Sequence, residues 1–249
     1  MNDNAQNQPE LAVVTGAGSG IGRAIALALA AEGKQVVAAD LNLQAAEETA
    51  AQNPQHLAAL AVDVSDPDQV TALHDQVQAR FGNTSILINA AGWDRMAQFL
   101  ETDFAFAQKV VAINYLGPVY MSRVFLPDMV ELGRGRIVNL ASDAGRVGSS
   151  GETIYAGAKG GVIALTKSLA REMARHTISV NCVCPGPTDT PLLRSFPDKL
   201  QAALARAIPF KRVAQPEEVA AAAVFFASPQ AAYITGQVLS VSGGLTMAG

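Results

Sequence analysis

The chain predicts an α/β fold, with a doubly wound parallel sheet of seven strands and helices on both faces. Three observations carry this expectation. Seven short apolar runs alternate with longer helical patterns, the connections between them are short, and a glycine-rich turn joins the first run to the first helical pattern. The strand candidates in order are Leu11–Thr15, Gln35–Asp40, Leu57–Val62, Ser85–Asn89, Gly135–Ala141, Ile178–Val183 and Gln237–Val241. The helix candidates between them are Ile21–Glu32, Leu43–Gln52, Pro67–Phe81, Phe104–Leu132, Glu152–Arg175 and Glu217–Ala227. No repeat, low-complexity tract or linker is visible, so one domain is expected over 1–249. One segment, 185–216, breaks the rhythm. It holds no strand, and 200–207 reads as a short helix. It follows a strand's C-terminal end, where such folds bind ligands, and is read as a substrate lid.

Bulk properties narrow the function. The 249 residues are 49% apolar and only 6% aromatic, enough for a sizeable core of helices packed on a sheet. Net charge is −4 with no long basic run, which argues against nucleic-acid binding. The stretch from Met1 to Glu10 is polar and lacks the apolar core of a secretory signal. The longest apolar stretches, Ala24–Ala31 and Val219–Ala227, fall far short of a membrane span. Cys182 and Cys184 are expected to point to opposite faces of a strand and not to bridge. His56, His74 and His176 have no metal-ligand spacing and are read as surface residues, so no metal is expected. A cytoplasmic enzyme or binding protein fits these properties.

The turn Thr15-Gly16-Ala17-Gly18-Ser19-Gly20-Ile21-Gly22 follows a strand and opens a helix. Glycines there permit close backbone approach, and the helix N-terminus favours a pyrophosphate, so a Rossmann-type dinucleotide site is expected. Gly16, Ser19, Gly20 and Ile21 are its candidate contacts. Asp40 ends the second strand, eighteen residues after Gly22. A carboxylate there accepts hydrogen bonds from ribose hydroxyls and repels a 2′-phosphate. Ser19 and Leu41 offer no basic alternative, which predicts NAD(H) over NADP(H). Asp63-Val64 ends the third strand, where a carboxylate can meet the adenine amino group. Asn89-Ala90-Ala91-Gly92 ends the fourth, and its small residues leave room for a cofactor; either segment also fits an ordinary strand-end turn.

Tyr155 and Lys159 are spaced i, i+4, so phenol and ammonium share one helix face. A phenol titrates near 10, and a neighbouring cation lowers that value, making Tyr155 a candidate acid/base. Ser142 lies thirteen residues before the tyrosine.

Together these motifs resemble the short-chain dehydrogenase/reductase family over nearly the whole chain, from Leu11 to the C-terminus. The resemblance rests on Thr15–Gly22, Asn89–Gly92, Asn114, Ser142, Tyr155, Lys159 and Pro185-Gly186 with Thr188 and Thr190. It implies that Tyr155 exchanges a proton with the substrate oxygen. Lys159 would lower the tyrosine pKa and hold the nicotinamide ribose, Ser142 would bind the substrate oxygen, and Asn114 would hold a water of a proton relay. Thr188 and Thr190 would contact the nicotinamide end and the pyrophosphate. The family also implies a homotetramer, with a dimer second: the two long helices build a dimer bundle, and the apolar end Gly236–Gly244 pairs subunits. Gly157, Gly160 and Gly161 suggest close packing of one of those helices.

For the substrate pocket the expected lining is Trp93, Val147, Ser149, Ser150, Gly151, Glu152, Leu192 and Leu193. Segments such as Ala91-Gly92-Trp93-Asp94 and Ala141–Glu152 are similar to 2-hydroxycyclohexanecarboxyl-CoA dehydrogenases. That likeness implies an NAD-dependent oxidation of a cyclic or acyl-CoA secondary alcohol. Arg95, Arg146, Arg194 and Lys199 are candidates for CoA phosphates, each with a solvated surface role as the alternative. Two other readings stand beside this one: a 3-oxoacyl-carrier-protein reductase, usually NADPH-preferring, and a non-catalytic NAD-binding protein, which would be expected to have lost part of the Ser142, Tyr155 and Lys159 set.

Overall fold

The computed structural model describes residues 10–248; the polar N-terminal stretch read above lies, but for Glu10, outside them. From the N-terminus the elements are β1 (Leu11–Thr15), α1 (Gly20–Ala31), β2 (Gln35–Asp40), α2 (Leu43–Ala50), β3 (Leu57–Ala61), α3 (Pro67–Phe81) and β4 (Ile86–Asn89). Then come α4 (Phe104–Val111), α5 (Gly117–Leu132), β5 (Gly135–Leu140), α6 (Ala144–Val147), α7 (Thr153–Met173) and β6 (Ile178–Pro185). The chain closes with α8 (Pro191–Arg194), α9 (Asp198–Ala207), α10 (Pro216–Phe226) and β7 (Val238–Val241).

The seven strands form one sheet in the order β3-β2-β1-β4-β5-β6-β7, every neighbouring pair parallel. The strand order reverses between β1 and β4, which opens a crevice at their C-terminal ends. The expected fold class holds, with strand bounds off by one or two residues. Continuous apolar strands are the reason. Leu11–Thr15 is buried throughout because helices cover both faces. On one face Ile25, Leu29, Val219 and Phe226 of α1 and α10 pack against the sheet. On the other, Leu73, Met121, Phe125 and Met129 of α3 and α5 do so. Each such fully covered side chain contributes roughly 1.5–3 kcal/mol.

Local signals set the helix ends. Asp66 caps α3 by accepting from Asp68 N and Gln69 N, with Pro67 in the first turn. The expected single helix Phe104–Leu132 is not regular. A π-helical turn, Ala112–Leu116, separates α4 from α5, and Asn114 sits in it. An inserted turn of this kind is invisible to apolar periodicity and is common at functional sites.

The excursion after β6 is anchored at both ends. Thr188 pairs with Ala214 as an isolated parallel bridge, with Asp189 N donating to Ala214 O and Ala214 N to Pro187 O. Between these points lie α8 and α9, the second close to the expected 200–207 helix.

Two sequence expectations need correction. Cys182 and Cys184 point to the same face of β6, their sulfurs 4.0 Å apart, because side chains two residues apart in a strand share a face. They are free thiols, as expected, and both are buried. His74 is not a surface residue: its Nε2 lies 2.9 Å from Asp128 Oδ1, and its ring meets Phe125 edge-on, tying α3 to α5. Among the described residues no group of His, Cys, Asp and Glu is placed to hold a metal, and no helix is long and apolar enough to cross a membrane.

Candidate active site

The crevice is a cavity of about 1030 Å³. Its floor is built where β1 and β4 diverge. Thr15 Oγ1 accepts hydrogen bonds from Ala90 N and Ala91 N, both at 3.1 Å, and so ties the two strand ends together. Gly16 has φ of 66°, and a Cβ there would lie 2.8 Å from Ala91 Cα. A Cβ on Gly22 would lie 2.2 Å from Gly16 O. Glycine is therefore required at both positions: the turn is folded against α1 and against the β4 loop, leaving the α1 N-terminus facing the cavity.

The expected nucleotide contacts Gly16, Ser19, Gly20, Ile21, Asp40, Asp63, Val64, Ala90, Gly92, Pro185, Gly186, Thr188 and Thr190 all line this cavity. Asp40 Oδ2 accepts from Gly18 N at 2.8 Å and Oδ1 from Asn42 N at 2.9 Å. Each carboxylate oxygen keeps a further acceptor position for a ribose hydroxyl. Arg23 is a basic residue near this turn. It is turned to Thr49 and to the Gly18 and Ala45 carbonyls and does not line the cavity. Asp63 Oδ1 is held by Ser65 N and Oγ. These residues fit a dinucleotide: a glycine cradle at a helix N-terminus, followed by a carboxylate with acceptor capacity, with Arg23 kept off the cavity wall.

Asn89 is a correction. It does not line the cavity. Its Nδ2 donates to Asn139 Oδ1 at 2.8 Å, and Asn139 in turn donates to Thr166. The last residue of β4 faces its registered partner on β5, so its amide joins strands beneath the site.

At the other end of the cavity stand Ser142, Tyr155 and Lys159. Ser142 ends the β5 loop, its Oγ accepting from Ala144 N at 3.1 Å. Tyr155 and Lys159 lie one turn apart on α7, Lys159 Nζ 5.5 Å from the tyrosine ring centre. Lys159 is 3% exposed, and its Nζ donates to Leu140 O at 2.8 Å. Burial lowers its pKa to about 8. Tyr155 is half-buried and open to the cavity. The surrounding protein pushes its phenol above the ordinary value, Glu152 and Asp94 push it further, and only contact with Ser142 pulls it down. The lowering by Lys159 expected from the i, i+4 spacing is not the net result. Desolvation and two nearby carboxyls raise the phenol, and the ammonium is turned to the β5 carbonyl.

Asn114 is fully buried and lies just behind the cavity wall. Its Nδ2 donates to Trp93 O at 2.6 Å and Val110 O at 2.9 Å, and its Oδ1 accepts from Trp93 N at 3.2 Å. The π turn thus aims the amide at the β4 loop as a clamp on both backbone groups of Trp93. Both amide hydrogens are occupied, and one acceptor position on Oδ1 remains free.

Of the expected substrate-pocket residues, Trp93, Val147, Ser149, Glu152, Leu192 and Leu193 line the cavity; Gly151 borders a small adjoining hollow, and Ser150 lines neither. The proposed CoA-phosphate ligands do not come together there. Arg146 is spent on Ser240 and the Val238 and Ala248 carbonyls, and Arg194 is paired with both oxygens of Asp189. Arg95 stacks on Phe106 at 5.1 Å, and Lys199 is exposed. Missed in the sequence were Asp94 and Lys109. Asp94 is 5% exposed on the cavity wall, where burial raises its pKa to about 6. Lys109 stacks on the Trp93 ring at 4.1 Å. An acid two residues after the small-residue turn was the available signal for the first; the second needed the fold. Gly161 and Gly160 face Tyr115 and the Gly145 carbonyl of this same chain, and only Gly157 opens outward.

A family model described as enoyl-(acyl carrier protein) reductase matches residues 16–246. Among curated proteins the chain is similar to the (3R)-3-hydroxyacyl-CoA dehydrogenase of Rattus norvegicus, 41% identical over 250 residues, covering 95% of this chain and 96% of the relative. The protein of the same name from Homo sapiens is 39% identical, covering 95% of each chain. A 3-oxoacyl-(acyl-carrier-protein) reductase of Thermotoga maritima is 35% identical, covering 96% of this chain and 98% of the relative. With a parallel sheet reversing at a glycine cradle and a Ser142, Tyr155 and Lys159 set at its far end, the chain belongs to the short-chain dehydrogenase/reductase family, and is an oxidoreductase of the kind that uses a nicotinamide cofactor.

Proposed function

We propose that the enzyme interconverts a β-hydroxyacyl and a β-ketoacyl thioester with NAD(H) as the hydride carrier. The carrying observation is that one continuous cavity has Asp40 and the glycine turn at one end and Ser142 with Tyr155 at the other. The nicotinamide, when bound, supplies hydride transfer at the carbinol carbon. The chain's own residues do the rest. Tyr155 exchanges the proton with the substrate oxygen, and Ser142 donates a hydrogen bond to that oxygen. Lys159 and the cofactor's positive charge would bring the raised tyrosine pKa back within reach of neutral pH. Asn114 acts by fixing the Trp93 loop, with its free acceptor position available to a relay water. Thr188 and Thr190 border the nicotinamide and pyrophosphate positions.

The preference for NAD rests on Asp40 at the ribose position and the absence of Arg23 from the wall. The acyl class rests on the relatives, whose names describe 3-hydroxyacyl-CoA and 3-oxoacyl-carrier-protein chemistry. A ring-bearing β-hydroxyacyl-CoA, as the motif wording suggests, falls inside it. The second reading, an NADPH-dependent 3-oxoacyl-carrier-protein reductase, is favoured by the reductase relatives alone. We further propose a homotetramer, supported by Leu239, Leu245 and Met247 left exposed near β7 and Val130 and Leu132 on α5. A cytoplasmic location is supported by two buried, unbridged cysteines.

The test is initial-rate turnover of 3-hydroxyacyl-CoA, ring-bearing 3-hydroxyacyl-CoA and simple secondary alcohols, each with NAD and with NADP. NAD-dependent turnover of an acyl-CoA, reduced about 100-fold or more in Tyr155→Phe, is the expected outcome. Turnover of simple alcohols only, or near-normal activity of the variant, contradicts it.

A further inference from the structure

Asp94 presents a problem the reaction itself does not solve. Its carboxylate is 5% exposed, and Oδ2 has no hydrogen-bond partner. Leaving a buried acceptor unmet is costly, and it is kept only where something else meets it. The residue is not placed there by chance packing. Asn114 grips both backbone groups of Trp93, the preceding residue, and so aims Asp94 into the site. It borders both the main cavity and the small hollow beside it, next to Tyr155.

Its neighbours supply the carboxyl with one donor, the Arg95 backbone N–H, and Oδ2 is left without any. Glu152 is a second carboxylate on the same wall, already engaged by the Ser149 hydroxyl, and it repels Asp94. The Arg95 backbone N–H donates to the carboxyl and pulls its pKa down, while the Arg95 guanidinium attracts it less than Glu152 repels it and stacks on Phe106. Among the described residues no ion pair includes Asp94. A ligand extending past Tyr155 therefore meets an acceptor that wants an N–H or O–H, within a locally negative wall. A free β-hydroxy acid would bring a third carboxylate to this wall. A thioester is neutral, and the arm of an acyl-CoA or carrier-bound acyl group carries amide N–H groups.

We propose that Asp94 is a specificity-determining residue: its free carboxylate oxygen accepts a hydrogen bond from an N–H of the substrate's neutral thioester arm, and its charge turns away the free acid. This rests on the acyl-thioester reading above. Burial of the same carboxyl, which raises its pKa to about 6, is the cost the substrate's donor offsets.

Three probes with one 3-hydroxybutyryl group separate the possibilities: the N-acetylcysteamine thioester, an S-pentyl thioester of similar length without the N–H, and the free acid. In the wild type kcat/KM with NAD should favour the first over the second by about tenfold or more. The free acid should be the poorest of the three. In Asp94→Ala the ratio of the two thioesters should fall to about one. Asp94→Asn keeps an acceptor oxygen and nearly the same volume. It should retain the thioester ratio while raising the free acid relative to both thioesters by about tenfold. A wild-type ratio near one, or a ratio unchanged in Asp94→Ala, overturns the proposal while leaving the thioester reading intact. Turnover of simple secondary alcohols with none of either thioester overturns both.

Discussion

Replacing Lys159 with methionine should make the cofactor-free protein more stable near neutral pH while abolishing turnover. The lysine is 3% exposed, and burial lowers its pKa from 10.5 to about 8, with Cys182 and Cys184 pulling it partly back. Between those two values the folded chain holds fewer protons than the unfolded one, so stability rises with pH across that window. Below about pH 8 the cost of the buried ammonium is present in full. The displacement corresponds to about 3 kcal/mol. Opposing it is the Nζ–Leu140 O hydrogen bond at 2.8 Å, which holds roughly 1–2 kcal/mol. Methionine is unbranched and fills the same channel without a charge. The net gain at pH 7 is therefore about 1–2 kcal/mol, a rise in Tm of roughly 2–8 °C for a chain of this size. It should shrink as pH approaches the lysine's ordinary value. Thermal melts of both proteins without cofactor, from pH 7 to pH 10.5, read the effect directly. A variant less stable than the wild type at pH 7, or a difference that does not change with pH, would refute the account of a lysine held at a stability cost for function.

Two other substitutions probe the site's ends. Asp40→Ala removes the acceptor for ribose hydroxyls and for Gly18 N and Asn42 N, so kcat/KM with NAD should drop about 10–100-fold and the NADP/NAD ratio should rise. Steady-state rates with both cofactors check this, and an unchanged ratio shows that another group reads the ribose. Asn114→Leu deletes three hydrogen bonds to the Trp93 and Val110 backbone, and should cost about 2–4 kcal/mol, seen as a Tm lower by roughly 4–16 °C. A Tm within about 2 °C of the wild type would show that the clamp contributes little.

The sheet was legible because its strands are short, apolar on both faces and separated by helical patterns. Such a chain has few alternatives to a parallel sheet covered on both sides. The glycine turn, Asp40 and the Tyr155–Lys159 spacing were legible for the same reason: each is a local requirement written in neighbouring residues. Periodicity located a helix at 104–132 but not its π turn, since one inserted residue barely disturbs an apolar stripe. That turn decides where Asn114 points.

What the sequence by itself determined is therefore the fold class, the glycine turn on the cavity floor, and the grouping of Ser142, Tyr155 and Lys159 that the proposed proton transfer uses. What only the tertiary structure decided is who meets whom across elements. Asn89 faces Asn139 and not the cavity, because register pairs them. Arg146 and Arg194, candidates for CoA phosphates or for a solvated surface, are spent on Ser240 and Asp189. The tyrosine's environment is set by Asp94 and Glu152, which come from loops far apart in the chain and add to the desolvation that raises its pKa. Such terms depend on burial and distance between residues remote in sequence, and neither quantity exists before the chain is folded.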